Sequence, residues 1–214
     1  MAGWDELHER ARERYEDGER RLPEEPDARQ KQLTRMGNAA GAAGLAALMA
    51  GRDGREWFIR AAERYRESWK HAPPGSWGRP IGAIKSRILA DDWDGAAADS
   101  RWALEAGAGE SESAIGRYAA ALASVVLGDW QGAPVHADAA RIDESFPGEV
   151  ADALAYVAAE DVVGYIEAVE DVLESFEQRD EYLEDVPVAD TVLVLQALAA
   201  RRGMAAELRS ELLP

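Results

Sequence analysis

The chain has 214 residues, 41 of them Asp or Glu against 24 Lys or Arg, for a formal charge of −17. That length suffices for one large domain or one repeat array with a real core. Such a charge argues against nucleic-acid binding, which needs a basic footprint, and the absence of cysteine excludes disulfides, thiolate chemistry and cysteine-based metal sites.

Residues 3–21 carry helix formers and many charges, with Trp4, Leu7, Ala11 and Tyr15 as one narrow apolar stripe. Leu22-Pro23-Glu24-Glu25-Pro26 breaks this charged N-terminal helix. A second helix is expected over 27–50. Its later half, Gly37 to Gly44, is small on all sides, which suits close helix packing; no strand precedes it and no Gly-Lys-Ser/Thr follows, so it does not read as a phosphate loop. Asp53 reads as an N-cap with Glu56 as its capping-box partner, opening a helix over 54–71 with Trp57, Ala61, Tyr65 and Trp69 on one face. Further helices are expected over 77–90 (Ile81, Ile84, Ile88), 93–106, 111–127 (burying Ile115, Tyr118, Leu122, Val125), 130–142, 148–159, 162–178 (Tyr165, Val169, Val172, Phe176) and 188–202. Gly203 stops the last, and Ala205 to Pro214 is a tail. No strand pattern emerges, so the expected fold is all-α, about ten helices in one domain spanning 1–214.

One stretch punctuates the chain. Leu127-Gly128-Asp129-Trp130-Gln131-Gly132-Ala133 has a near copy at Ala90-Asp91-Asp92-Trp93-Asp94-Gly95-Ala96 and a looser one at Asp161-Val162-Val163-Gly164-Tyr165. A fourth, Asp53-Gly54-Arg55-Glu56-Trp57, has Glu where the others have Gly. Spacings in the thirties point to stacked helical hairpins. Asp-x-x-Gly is read as an N-cap, worth about 1 kcal/mol each. The glycine is expected to let a neighbouring helix approach, and Trp93 and Trp130 to plug the hairpins. The acids agree with this layering: none occurs between Asp27 and Asp53, Glu67 and Asp91, or Glu112 and Asp129. Burying an unpaired carboxylate is costly, so acid-free helices should form an inner layer and acid-rich ones an outer layer, a two-layer array of antiparallel hairpins.

Gly128-Asp129-Trp130-Gln131-Gly132-Ala133, with Ala140 seven residues after Ala133, resembles the second helix of a tetratricopeptide repeat; Ala96 and Ala103 match in the other copy. The resemblance covers roughly residues 50–145 and implies a tetratricopeptide-like solenoid. The first helices lack that family's Trp, Leu-Gly and Tyr pattern, and the period drifts. Residues 158–214, with Leu193-Val194-Leu195-Gln196-Ala197-Leu198-Ala199-Ala200-Arg201-Arg202-Gly203 and the ending Leu212-Leu213-Pro214, are similar to the end of the immunity protein 49 family of polymorphic toxin systems. That similarity implies a helical array that neutralises a toxin by binding it.

Only Lys31, Lys70 and Lys85 are lysines; the other basic residues are arginines. An acidic, lysine-poor, alanine-rich chain is similar in composition to proteins of salt-loving organisms, whose surface carboxylates are screened at molar salt. The opening Met1 to Glu6 does not read as a signal peptide, and the longest apolar run, Ala39 to Ala50, is too short to span a bilayer. A cytoplasmic protein without membrane contact is the expectation.

Catalytic patterns are sparse. His8, His71 and His136 have no ligand-spaced partners, and carboxylate pairs arise by chance among so many acids. Two surfaces stand out instead. Trp69, Trp77, Arg79, Lys85 and Arg87, in a stretch free of acids, could line a groove for a protein partner, tryptophan and arginine being good anchors; alternatively the cations pair with neighbouring acids and the tryptophans fill the core. The run Glu167, Glu170, Asp171, Glu174, Glu177, Asp180, Glu181, Glu184 and Asp185 could mask a basic toxin or be a solvated face. The expectation is a non-enzymatic protein-binding module without cofactor or metal, in its sharper form a toxin-neutralising immunity protein. The alternative is a small α/α hydrolase using paired carboxylates and exposed tryptophans.

Overall fold

The aspartate turns set the architecture. In the computed structural model, which describes residues 3–214, Asp92, Asp129 and Asp161 each accept a hydrogen bond on Oδ1 from the glycine N–H three residues on, at 2.9, 2.9 and 3.0 Å. Each aspartate's own N–H also closes the preceding helix, bonding the carbonyl five residues back (Arg87, Ser124 and Tyr156). The residue just before it (Asp91, Gly128 or Glu160) has positive φ, as a Schellman ending requires. One helix thus stops and the next starts with two to four residues between them.

Glycine sits at the third position because a Cβ there would collide with the capping carboxylate itself at Gly95 and Gly132, and with the Tyr156 ring at 2.8 Å at Gly164. The expected role in admitting a neighbouring helix holds at Gly164, and in part at Gly95, where Arg87 of the preceding helix also lies 2.8 Å from the added Cβ. The fourth copy departs: Asp53 accepts from the Arg55 N–H two residues on, and Gly54 heads the helix with no side-chain cap. Without glycine at position 56, the cap geometry of the other three is lost.

Ten helices result, with no strand among the described residues: α1 (Trp4–Arg20), α2 (Pro26–Met49), α3 (Arg55–Trp69), α4 (Gly78–Leu89), α5 (Trp93–Glu105), α6 (Ala114–Leu127), α7 (Gly132–Arg141), α8 (Gly148–Ala159), α9 (Val162–Glu177) and α10 (Asp190–Ala200). Single 3-10 turns occupy Ala108–Glu110 and Leu183–Asp185. Residues 111–113, expected to be helical, instead carry the Ser113 cap of α6.

Each helix packs on its chain neighbours, and every substantial contact between more distant helices joins two even-numbered ones. The acid-poor α2, α4 and α6 therefore lie inside, followed by α8. The Tyr65 ring of α3 shows how the glycines serve this: a Cβ at Gly37 of α2 or Gly82 of α4 would come within 2.9 and 2.7 Å of it. Its hydroxyl donates to Asn38 Oδ1 at 2.8 Å. One expected core residue is misplaced, Ile115 being 42% exposed on the outside of α6.

The last helix closes the row. α10 packs on both α4 and α8, and the two arginines at its end reach back to the aspartate turns. Arg201 lies 4.1 Å over the Trp93 ring, and Arg202 lies 4.0 Å over Trp130. Arg202 also donates to the Val157 and Ala158 carbonyls at 2.6 and 2.7 Å and pairs with Glu160. Trp130, 40% exposed, is thus a cation-stacked platform and not a hairpin plug, whereas Trp93 is half-buried against the core beneath Arg201. Residues 204–214 run as a strap: Gln196 bonds Ala206 through both its amide atoms, and Leu212 O accepts from Ala189 N.

Candidate functional site

Trp69, Trp77, Arg79, Lys85 and Arg87 are spent on internal attachments, while Lys70 and His71 between them are exposed. Trp69 stacks with Trp77 and Trp102, at ring centroids of 5.5 and 5.7 Å, and Trp77 is 7% exposed. Arg79 donates to Ser68 Oγ at 2.6 Å and to the buried Gln30, tying α4 to α3 and α2. Burial holds its pKa below the usual arginine value. Arg87 donates to Asp92 Oδ2 at 2.8 Å and lies 3.5 Å from Asp99, a buried carboxylate that also takes Arg66. Lys85 donates to Asp190 at 2.5 Å and Thr191 at 3.0 Å, joining α4 to α10. Burial disfavours its ammonium, yet the Asp190 carboxylate outweighs that and raises its pKa. Acids from α5 and α10 answer the cations of the inner layer, so no open basic groove forms along residues 69–87.

The acidic run divides differently. Glu167, Glu170, Asp171, Glu174 and Glu177 are exposed along α9. The chain then turns through Glu184 and Asp185, both at positive φ (54° and 63°). Two successive side-chain-bearing residues in that region cost energy unless the surroundings enforce them. Arg14 of α1 does so, donating to Glu184 Oε2 at 2.8 Å and to its carbonyl and Asp185 Oδ2 at 3.3 Å. This pin brings the 180–187 segment against α1.

Between them opens a groove of about 620 Å³. Its apolar surfaces come from Trp4 and Leu7 of α1, Tyr182 and Pro187 of the segment, and Leu212 of the strap. Tyr182 is fixed by its hydroxyl donating to the Phe176 carbonyl at 2.8 Å. Asp180, Glu181, Asp185 and Glu211 rim it against a single cation, Arg10, which pairs loosely with Glu6 at 3.6 Å. An apolar slot with four exposed carboxylates suits an apolar side chain flanked by positive charge. From the sequence, Asp180, Glu181 and Asp185 belonged to a candidate surface, whereas Trp4 and Leu7 read only as a helix stripe and Leu212 as tail. The available signal was that Trp4 ends the stripe, where a partner helix need not reach.

The histidines offer little chemistry. His8 Nδ1 contacts the Ala43 carbonyl at 2.8 Å; His136 is half-buried, and burial followed by the Arg117 charge lowers its pKa. Among the described residues no three potential metal-ligating side chains gather, and no helix is long and apolar enough to cross a membrane. No protein-family model, curated protein or solved structure matches the chain.

Proposed function

We propose that this protein is a non-enzymatic binding module, a tetratricopeptide-like helical array that captures a basic protein partner in the groove between α1, the 180–187 segment and the C-terminal strap. The groove carries the proposal: its apolar floor is ringed by four exposed carboxylates and one arginine. The toxin-neutralising form follows if that partner is a basic toxin, and the similarity of residues 158–214 to the end of the immunity protein 49 family favours it. In a salt-adapted cytoplasm the rim charges are screened within about 3 Å, so the Trp4, Tyr182 and Leu212 surfaces supply most of the affinity. A hydrolase would need free carboxylates converging in a pocket. The most buried carboxylate, Asp99, is shared by Arg66 and Arg87, and Asp190 is committed to Lys85, which favours binding over hydrolysis.

Capture from source-cell cytosol at molar potassium chloride, with the intact protein beside Trp4→Ala and Asp180→Lys/Glu181→Lys, tests the proposal. A basic protein retained by the parent, lost from Trp4→Ala and retained less by the double reversal is expected. Equal retention by all three, or retention of acidic proteins only, would overturn it.

A further inference from the structure

A second cavity, of about 460 Å³, lies among α4, α6, α8, α9 and α10, a size that accommodates a small organic ligand. Its inner end is formed by Lys85, Tyr118 and Thr191, and its mouth by the exposed Ile115, Asp143 and Arg179. Phe146, Val150 and Phe176 supply apolar walls. In a chain of charge −17, this lining holds two cations and one carboxylate.

Three donors there lack acceptors. The Lys85 ammonium has three protons, of which Asp190 and Thr191 take two. Tyr118 is only 7% exposed, yet its hydroxyl has no hydrogen-bond partner among the described residues. Burial raises its pKa, so it stays a neutral donor. The Arg179 guanidinium carbon lies 3.6 Å over the Phe176 ring, and the side chain makes no ion pair among the described residues. It also sits near enough to Lys85 for the two cations to repel. Two acids oppose these cations: Asp190 is already paired with Lys85, and Asp143 at the mouth is held by the Ser145 N–H and hydroxyl at 2.9 and 2.7 Å. Its charge at the mouth disfavours a dianion such as phosphate.

We infer that this cavity binds a small monocarboxylic acid with an aromatic or branched aliphatic body, its carboxylate held by Lys85, Tyr118 and Arg179 and its body by Phe146 and Val150. The site is separate from the proposed protein-binding groove and stands or falls without it.

Calorimetric titration of the full chain with phenylacetate, isovalerate, phenylacetamide, phenethylamine and inorganic phosphate tests the assignment. The two carboxylates should bind; the amide, amine and phosphate should bind at least tenfold more weakly. Arg179→Gln alters an exposed residue and Tyr118→Phe keeps the ring, so both should fold, which circular dichroism would verify. Each should weaken phenylacetate about tenfold or more, one charge-assisted or buried hydrogen bond being lost. Failure of both carboxylates to bind at millimolar concentration overturns the assignment. So does binding that the amide matches or that neither variant weakens.

Discussion

Gly132 is a position where alanine should harm the helix it ordinarily helps. Alanine in place of glycine inside a helix is worth about 1 kcal/mol in propensity. At Gly132 the added methyl would meet the Asp129 carboxylate, which holds the Gly132 N–H at 2.9 Å. Gly132→Ala should therefore cost about 1 kcal/mol through loss of the cap. In an Asp129→Ala background the collision is gone, and the same substitution should stabilise. Urea unfolding of the four proteins forms the double-mutant cycle that reads this reversal of sign. Asp99 is the contrasting residue: buried, and shared by Arg66 and Arg87. Arg66 is half exposed and Arg87 keeps Asp92, so Asp99→Ala should cost about 2 kcal/mol in the same assay through its lost charge-assisted hydrogen bond, against about 1 kcal/mol for the exposed cap alone in Asp129→Ala.

At the scale of elements, the strap is a small side-chain device. Gln196 accepts from Tyr165 Oη at 2.7 Å and from Ala206 N at 3.0 Å, and donates to Ala206 O at 2.6 Å. Gln196→Ala removes all three and leaves the Tyr165 hydroxyl inside without its acceptor. A loss of about 2 kcal/mol is expected, with faster amide exchange over residues 204–213 and unchanged protection in α2 and α4. The helices themselves were legible, because apolar stripes such as Ile81, Ile84 and Ile88 and the acid-free gaps report a buried face locally. The attachments were not. Lys85 and Asp190 are 105 residues apart in sequence, and nothing in either stretch announces the other. The acid-free run from Trp69 to Ala90 was therefore open to two readings, a groove or internal pairing, and only the neighbours supplied by α5 and α10 decide which the side chains adopt. Leu208, Leu212 and Leu213 lack a helical period, so the strap looked like a tail although its leucines lie on the core. The candidate groove was half legible for the same reason: its acids form a visible run, but its floor is assembled from three distant segments.

For the molecule as a whole, a charge of −17 makes stability depend jointly on salt and acidity. At pH 7 in dilute buffer the carboxylates repel one another and press against the compact state; at molar salt the Debye length shrinks to about 3 Å and most of that pressure disappears. Melting temperature should therefore rise from dilute buffer to molar potassium chloride, and equal values would remove the case for a salt-adapted surface. Acid provides the second axis. Hydrogen bonds from Lys31 hold Asp27 below the usual carboxylate range; those from Arg29 and Arg64 outweigh burial at Glu67; and the Ser145 hydroxyl lowers Asp143. A carboxylate whose folded pKa is depressed stabilises the fold above its unfolded value, near 4, and that support is lost as pH falls through the folded value. His136, lowered first by burial, acts in the same direction at higher pH: the unfolded chain takes up its proton near 6.5 before the folded one does. Acidification from pH 7 to about 4.5 begins to neutralise the general repulsion while these supports only start to weaken, so the salt-induced rise in melting temperature should shrink over that interval. Below about pH 4 stability should fall at both salt concentrations as the paired carboxylates protonate. Thermal melts at the two salt levels across this range separate two origins of salt stabilisation. A rise as large at pH 4.5 as at pH 7 would assign it to strengthened apolar burial, whereas a rise that fades with charge assigns it to the carboxylate surface.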